Sequence, residues 1–255
     1  MIIRKSAKEI ELMAAAGAVV AGTLALMEER LEAGISMIEL DAIADAYIAS
    51  EGGAPTSKGY KGYPAAMCIS PNDMIVHGIP GRYEAQDGDI ISFDVGVTKD
   101  GMIADSAATF AVGEISGEAQ RLLEACRVAL DAGIEAAQVG AEVYDISLAV
   151  QTVVEGAGFS VVRQLVGHGV GKAYHEDPQV PNFVQPYRGA RLVEGMTIAI
   201  EPMITVGGPE VDFTNDDGWS ISTVDGSLAA HFEHTVAVTA DGPRVLTRPA
   251  RVLVP

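Results

Sequence analysis

Apolar residues recur at helical spacing in two segments near the start of the chain, and a short polar signal precedes each segment. Ser6-x-x-Glu9 and Ser36-x-x-Glu39 have the form of capping boxes, in which a serine and a glutamate satisfy free backbone N–H groups where a helix begins. A loop rich in glycine, proline and tyrosine follows the second segment, and strand-like runs then extend to about residue 112. The pattern therefore predicts two helices followed by strands.

The same order returns in the second part of the chain. The four predicted helices cover about residues 6–32, 37–51, 117–138 and 142–156. A shift of 106 positions superimposes GISMIELDAIADAYIASEGG on GAEVYDISLAVQTVVEGAGF, although the low identity also fits a chance match of two amphipathic helices. Helices grouped ahead of antiparallel strands predict an α+β fold. We predict a single domain over residues 1–255, with related halves at about 1–113 and 117–255.

Composition and charge narrow the class of protein. The chain has 255 residues, 48% of them hydrophobic, which is enough for a large core. A formal charge of −18 argues against DNA binding through a broadly basic surface. The two widely separated cysteines, Cys68 and Cys126, indicate no disulfide framework and favour a reducing cytoplasm. The first ten residues lack the apolar core of a signal peptide.

One apolar stretch, residues 12–27, raises the question of a membrane span. It has sixteen residues, fewer than the ~20 that a bilayer requires, and it contains two glycines. We therefore predict a buried helix at this position and no association with a membrane.

Residues 92–110, SFDVGVTKDGMIADSAATF, contain two strand-like runs around a tight turn, with one inner aspartate in each run. A turn over 98–101 makes facing residue numbers sum to 199 and places Asp94 directly opposite Asp105. A turn centred on Asp100-Gly101 changes the sum to 201 and makes the two carboxylates diagonal neighbours on the same face. Neighbouring like charges destabilise a sheet. A divalent cation would turn this repulsion into a binding site.

Three further polar residues stand in apolar or glycine-rich surroundings, namely His168 in LVGHGVG, Glu201 in TIAIEPMIT and Glu233 in AAHFEHTVAVT. A buried glutamate is costly unless it is paired or binds a metal. Together with the two aspartates, these residues supply four carboxylates and one imidazole, which suffice for two divalent ions of Mn, Fe, Co or Zn. Taken singly, the aspartates could be solvated on an exposed hairpin, and His168 could be an ordinary turn histidine.

The five donors occur together with four short motifs, which are HGIP at 77–80, GHGVGKAYHEDP at 167–178, IEPM at 200–203 and FEHT at 232–235. In this order the set closely resembles the type I methionine aminopeptidases, and the resemblance covers nearly the whole chain. It implies the pita-bread fold, in which two pseudo-symmetric halves pack helices on a central, mainly antiparallel curved sheet.

The resemblance also implies a role for each donor. In the dinuclear centre of this family, Asp94 would bind one ion, His168 and Glu201 would bind the other, and Asp105 and Glu233 would bridge the two. Glu201 would in addition transfer a proton during catalysis.

Further residues of the implied site bind or polarise the substrate. His77 would contact the scissile amide region and His175 the carbonyl oxygen, where charge develops in the transition state, so both belong to the catalytic and the substrate-binding sets. Aromatic rings and a thiol would line the methionine side-chain pocket, at Tyr60, Tyr63, Cys68, Tyr174 and Trp219. Ser57 stands where bacterial relatives often carry cysteine.

The implied reaction is metal-dependent hydrolysis that removes the initiator methionine from nascent proteins and peptides with a small second residue. A prolidase or aminopeptidase P shares the five ligands but carries a large N-terminal domain, whereas only about 90 residues precede Asp94. The type II enzyme has a helical insertion, for which the 32 positions from Glu201 to Glu233 leave no room. A non-catalytic pita-bread binding protein would have lost ligands, and this chain retains all five.

The expected partners follow from the same resemblance. They are the N-terminal methionine of nascent polypeptides and, transiently, the ribosome. We expect a cytoplasmic monomer that binds neither DNA nor a membrane. The acidic balance leaves scattered basic residues for contact with ribosomal RNA, namely Arg4, Lys5, Lys58, Lys61, Arg188 and Arg191.

Overall fold

Both parts of the chain begin with two helices and continue into strands, as the hydrophobic pattern predicts. The computed structural model describes residues 2–248, and Met1 and residues 249–255 lie outside the described part. The helices are α1 (Ala7–Arg30), α2 (Met37–Ser50), α3 (Gly117–Ala136) and α4 (Val143–Gly156). The bounds of α2 and α4 differ by 106 at both ends, which matches the shift between the two sequence segments. That the whole chain is one domain of two related halves stays a prediction.

Serine side chains cap the starts of the first two helices. The Ser6 hydroxyl accepts a hydrogen bond from the Glu9 backbone N–H (3.3 Å), and the Glu9 carboxylate accepts one from the Ser6 N–H (2.9 Å). The Ser36 hydroxyl likewise accepts from the Glu39 N–H (3.3 Å). These bonds satisfy N–H groups that have no partner inside the helix, so the polar signals in the sequence mark the helix starts correctly.

Fifteen strands form four sheets in the described residues, and every pairing between named strands is antiparallel. The strands are β1 (Ala54–Pro55), β2 (Cys68–Pro71), β3 (Met74–Val76), β4 (Ile90–Lys99), β5 (Met102–Ala111), β6 (Ser160–Val161), β7 (Gly167–Gly169), β8 (Glu176–Val180), β9 (Thr197–Ile200), β10 (Met203–Thr205), β11 (Val211–Asp212), β12 (Ile221–Thr223), β13 (Ala229–His231), β14 (His234–Thr239) and β15 (Gly242–Val245). In the first sheet β4 pairs with β1, β2 and β5, and the largest sheet has the order β15-β14-β9-β7-β8. The two small sheets are β13-β10-β6 and β11-β12-β3. Helices packed on antiparallel sheets confirm the α+β class.

Two large clusters of buried side chains join the helices to the sheets. Val20 of α1, Leu40 of α2 and Phe93 of β4 belong to the first cluster. Leu122 of α3 and Ile198 of β9 belong to the second. Each helix pair therefore packs on its own sheet.

Helix α1 contains the apolar stretch that resembles a membrane span. It is long and apolar enough to cross a bilayer, but half of its most apolar window is buried inside the protein. Met13, Val20 and Met27 are fully buried along its length. This burial favours a helix of the protein core, which is what the sequence predicts for residues 12–27.

The two parts of the chain meet where hairpin β4–β5 lies beside β14. The Thr235 hydroxyl accepts a hydrogen bond from the Asp105 backbone N–H (2.9 Å) and donates one to the Asp105 carbonyl (2.8 Å). The Glu233 N–H donates to the Ala107 carbonyl (2.8 Å). We call this contact between hairpin β4–β5 and the segment 231–235 the seam. It brings residues more than 120 positions apart in the sequence into direct contact.

Candidate metal centre and substrate pocket

The register of hairpin β4–β5 places the two aspartates diagonally across the ladder. Asp94 faces Ala107, and Asp105 faces Gly96, so facing residue numbers sum to 201. The alternative with direct opposition is wrong, because the turn centres on Asp100-Gly101 and both residues have positive φ (51° and 76°). Such a two-residue turn matches the strand twist, and glycine and aspartate adopt its left-handed conformations more readily than lysine.

The seam brings Asp105 of β5 next to Glu233, which directly precedes β14. The backbone of each residue bonds across the seam, Asp105 to Thr235 and Glu233 to Ala107. The two residues are only 4% and 2% exposed. These two carboxylates are therefore held by the contact between the two parts of the chain.

His168 and Glu201 come from adjacent strands of the largest sheet. His168 of β7 pairs with Ala199 of β9, and Glu201 follows β9 directly. The His168 Nδ1–H donates to the Gly169 carbonyl (2.8 Å), which leaves the lone pair on Nε2. That Nε2 lies 3.5 Å from Glu201 Oε1 and 3.9 Å from Asp105 Oδ2. The imidazole thus presents its lone pair to the carboxylates.

The five donors suit a divalent metal. Asp105, His168 and Glu233 offer ligand atoms that all lie within 4.8 Å of one another. Asp94 Oδ1 and Glu233 Oε1 are buried without a hydrogen-bond partner among the described residues. Unpartnered buried carboxylate oxygens are costly, and a cation would satisfy them. Oxygen and imidazole donors in one cluster therefore fit a divalent ion.

The pKa values of the cluster show the same cost of burying charged groups. Burial raises the pKa of Asp94 to about 6 and the pKa of Glu201 to about 7. Burial, together with the neighbouring carboxylates, raises the pKa values of Asp105 and Glu233 well above their usual range. Burial lowers the pKa of His168, which keeps its imidazole neutral. The metal-free cluster resists full ionisation, and a bound cation would remove that resistance.

A cavity of about 220 Å³ opens onto the cluster. It is lined by every site residue that the sequence predicts, namely Asp94, Asp105, His168, Glu201, Glu233, His77, His175, Tyr60, Tyr63, Cys68, Tyr174 and Trp219. Residues from positions 60 to 233 thus meet around one space, with the carboxylates and aromatic rings sharing its wall.

Aromatic pairs form one part of this wall. The rings of Tyr63 and Trp219 meet edge to face at 5.1 Å between centroids, and those of Tyr60 and Tyr174 do so at 5.2 Å. The Tyr63 hydroxyl donates to the Gly78 carbonyl (2.7 Å), so this ring is fixed. Burial raises the pKa of the Cys68 thiol, which keeps it neutral and weakly polar. The wall offers a rigid, mostly apolar surface to a side chain.

Two histidines lie close to the cluster. Burial lowers the pKa values of His77 and His175 to about 4 each, so both are neutral at neutral pH. His77 has a positive φ of 59°, which is uncommon for a residue other than glycine. The Tyr60 hydroxyl lies 3.0 Å from His175 Nδ1. When that hydroxyl donates, the His175 proton is on Nε2, which then serves as a donor.

Several lining residues were not assigned to the site from the sequence. They are Lys61, Val76, Leu165, Val166, Met203 and His231. Met203 is the last residue of the IEPM motif, and Val76 and Val166 directly precede the HGIP and GHGVGKAYHEDP motifs, which is a usable signal. Leu165 carries no chemical pattern. His231 lies two positions before Glu233, where strand alternation places both side chains on one face. Ser57 also lines the cavity, and its hydroxyl lies 3.1 Å from that of Tyr174.

Comparison with known proteins places the chain in a family. The model of metallopeptidase family M24 matches residues 11–240. The chain belongs to this family. Among its relatives, a methionine aminopeptidase of Clostridium perfringens is 49% identical over 247 residues, covering 97% of this chain and 99% of that protein. Methionine aminopeptidase 1 of Bacillus subtilis is 46% identical over 248 residues, covering 97% of this chain and 100% of that protein.

Solved structures agree with the M24 assignment. The crystal structure of a methionine aminopeptidase from Thermotoga maritima has a TM-score of 0.95 at 40% identity, covering 97% of this chain and 100% of that chain. The prolidase from Pyrococcus furiosus has a TM-score of 0.78 at 22% identity, and the match covers only 66% of its chain. The resemblance to methionine aminopeptidases and the pita-bread fold are confirmed, and the prolidase alternative is not favoured. Family and buried cluster together indicate divalent metal binding.

The substitution Asp94→Asn tests the electrostatics of the cluster. Between about pH 4 and 6 the unfolded chain has lost the Asp94 proton while the metal-free fold retains it, so this residue lowers stability as the pH rises. Asparagine removes that dependence. Relative to the unsubstituted protein, metal-free Asp94→Asn should gain thermal stability from pH 4 to pH 7, and it should bind metal less tightly.

Thermal unfolding of metal-free proteins across this pH range measures the effect. Asp241→Asn, an exposed position in the turn between β14 and β15, is the matched control and should show no such trend. An Asp94→Asn protein with full metal binding and full activity would contradict the expected ligand role.

Proposed function

We propose that this M24 enzyme removes N-terminal methionine from polypeptides with a small second residue, using two divalent ions. Asp94 would hold one ion, His168 and Glu201 the other, and Asp105 and Glu233 both. The observation that carries the proposal is a single cavity that joins these donors to an apolar aromatic wall. The donor types suit Mn, Fe, Co or Zn. When bound, such ions acidify a water molecule and polarise a carbonyl group.

The aromatic wall would hold the methionine side chain. Tyr63 and Trp219 form a rigid edge-to-face pair, and the neutral Cys68 thiol lies in the same buried cluster. A flexible thioether packs well against aromatic rings and a soft sulfur atom. Tyr60 and Tyr174 would close the pocket on the side of His175.

Three residues of the chain would act on the peptide bond. His175 Nε2–H would donate to the substrate carbonyl oxygen, and the Tyr60 hydroxyl would hold the imidazole in the required tautomer. His77 would contact the scissile amide group. Glu201 would move a proton to the leaving amine nitrogen through one carboxylate oxygen.

Partners and location follow from this function. We infer that the enzyme acts in the cytoplasm as a monomer, meets nascent chains at the ribosome, and binds neither DNA nor a membrane. Lys5, Lys58 and Arg188, three of the scattered cations, already pair with carboxylates, so they offer little free charge to RNA. A ribosomal contact through a broadly basic surface is therefore disfavoured.

Peptide hydrolysis tests the proposed specificity. With Mn²⁺ or Co²⁺ present, Met-Ala-Ser should be cleaved with a kcat/KM at least about 10-fold higher than that of Met-Ile-Ser. The larger second residue must overpack the space beside His77 and His175, which costs ~1–3 kcal/mol. Equal rates would show that the pocket beyond the scissile bond is open, and faster cleavage of Xaa-Pro dipeptides would instead support a prolidase activity.

The substitution His175→Ala tests transition-state stabilisation. Loss of the donor should lower kcat by about 10²-fold with a smaller change in KM, because the carbonyl oxygen gains charge only during the reaction. Tyr60→Phe, which removes only the hydroxyl that orients the imidazole, should show a smaller loss in kcat. Steady-state kinetics on Met-Ala-Ser separates the two parameters, and a change confined to KM would be inconsistent with the proposed role.

A further inference from the structure

His231 is a buried imidazole with no partner for either ring nitrogen. It is the last residue of β13 and only 1% exposed. Among residues 2–248, neither Nδ1 nor Nε2 has a hydrogen-bond partner. Buried polar atoms are nearly always satisfied, so this side chain requires an explanation.

The seam fixes the position of His231. Its backbone N–H donates to the Thr109 hydroxyl (3.0 Å), and its carbonyl accepts from that hydroxyl (2.9 Å). On the other side, His231 pairs with Met203 of β10. Because hydrogen bonds hold its backbone on both sides, the ring is directed into the cavity by the fold, and the cavity wall includes it.

The imidazole points at one oxygen of Glu201. His231 Nε2 lies 3.6 Å from Glu201 Oε2, while His168 Nε2 lies 3.5 Å from Glu201 Oε1. Two histidines therefore flank the two oxygens of one carboxylate. Their chemistry differs, because His168 uses its Nδ1–H on the Gly169 carbonyl and presents a lone pair, whereas the His231 proton is uncommitted.

We propose that His231 is a positioning residue that donates its Nε2–H to Glu201 Oε2 and so leaves Oε1 for the metal that His168 binds. The inference rests on the proposed metal centre. A carboxylate held by one oxygen cannot rotate freely, so less conformational entropy is lost when its other oxygen binds an ion. Substitution of a residue that hydrogen-bonds to a metal ligand commonly changes metal affinity ~10- to 100-fold.

Metal titration tests the proposal. Metal-free protein is titrated with Mn²⁺ by calorimetry, for the unsubstituted chain, His231→Leu and His231→Gln. The leucine variant should bind Mn²⁺ ~10- to 100-fold more weakly, and the glutamine variant, which keeps an N–H donor, within about threefold of the unsubstituted protein. Thermal unfolding of the metal-free leucine variant should remain a single cooperative transition, which shows that its weaker Mn²⁺ binding does not come from loss of the fold.

His234 supplies a matched control three positions further along. Its Nδ1 lies 2.9 Å from the Thr247 hydroxyl and 3.2 Å from that of Ser106, so this nitrogen already has hydrogen-bond partners. His234→Leu should therefore lower the stability of the metal-free protein and leave Mn²⁺ affinity within about threefold. At His231, by contrast, the Mn²⁺ affinity is the quantity that should change.

The outcomes separate the positioning role from the proposed function. If the unsubstituted protein takes up two ions and His231→Leu matches its affinity, the positioning role is wrong and the metal centre stands. If the unsubstituted protein takes up none, the metal centre itself is wrong. If glutamine weakens binding as much as leucine, the imidazole acts in some other way, as a direct ligand for example, and the donor role is overturned.

A spectroscopic measurement keeps the test valid if a variant fails to fold. In Zn²⁺-loaded, unsubstituted protein labelled with ¹⁵N-histidine, NMR should find the His231 proton on Nε2. An unprotonated Nε2 would overturn the proposal.

Discussion

Repulsion among four buried carboxylates is the constraint on which the rest of the site depends. Burial raises the pKa values of Asp94, Asp105, Glu201 and Glu233, and each charge makes ionisation of the next one harder. A fold that only needed stability would place apolar side chains here. The cluster becomes favourable once divalent cations offset its charge. The free-energy cost of burying these carboxylates in the metal-free protein is therefore a consequence of building a metal site.

The seam between the two parts of the chain makes this cluster possible. Hairpin β4–β5 brings Asp94 and Asp105, and the second part brings His168, Glu201 and Glu233. Threonine hydroxyls at 109 and 235 bond to backbone groups across the seam, which fixes neighbouring strands without adding charge. The site therefore needs both parts of the chain in register, and neither part holds the full donor set.

Local signals in the sequence predict the helices well, and they single out polar residues that the fold brings to one cavity. The serine caps mark the starts of α1 and α2. His168, Glu201 and Glu233 stand out as polar residues in apolar or glycine-rich runs, because burying such a side chain is costly unless it is paired or binds a metal. The resemblance to methionine aminopeptidases supplies the aromatic pocket residues, which composition alone could not distinguish from ordinary core residues. The sequence leaves two hairpin registers possible, in which facing residue numbers sum to 199 or to 201. Alternation determines only the face on which each side chain lies, and the turn geometry determines the pairing. His231 was not assigned, since its importance comes from a distance to Glu201 that strand order cannot reveal.

Metal reconstitution measures the central claim most directly. Protein stripped of metal is titrated with Mn²⁺, while bound metal is counted and hydrolysis of Met-Ala-Ser is followed at each step. We expect no hydrolysis by the stripped protein, activity that rises with bound metal, and uptake that saturates at two ions per chain. Full hydrolysis by metal-free protein, or saturation at a single ion, would contradict a dinuclear centre built from these carboxylates.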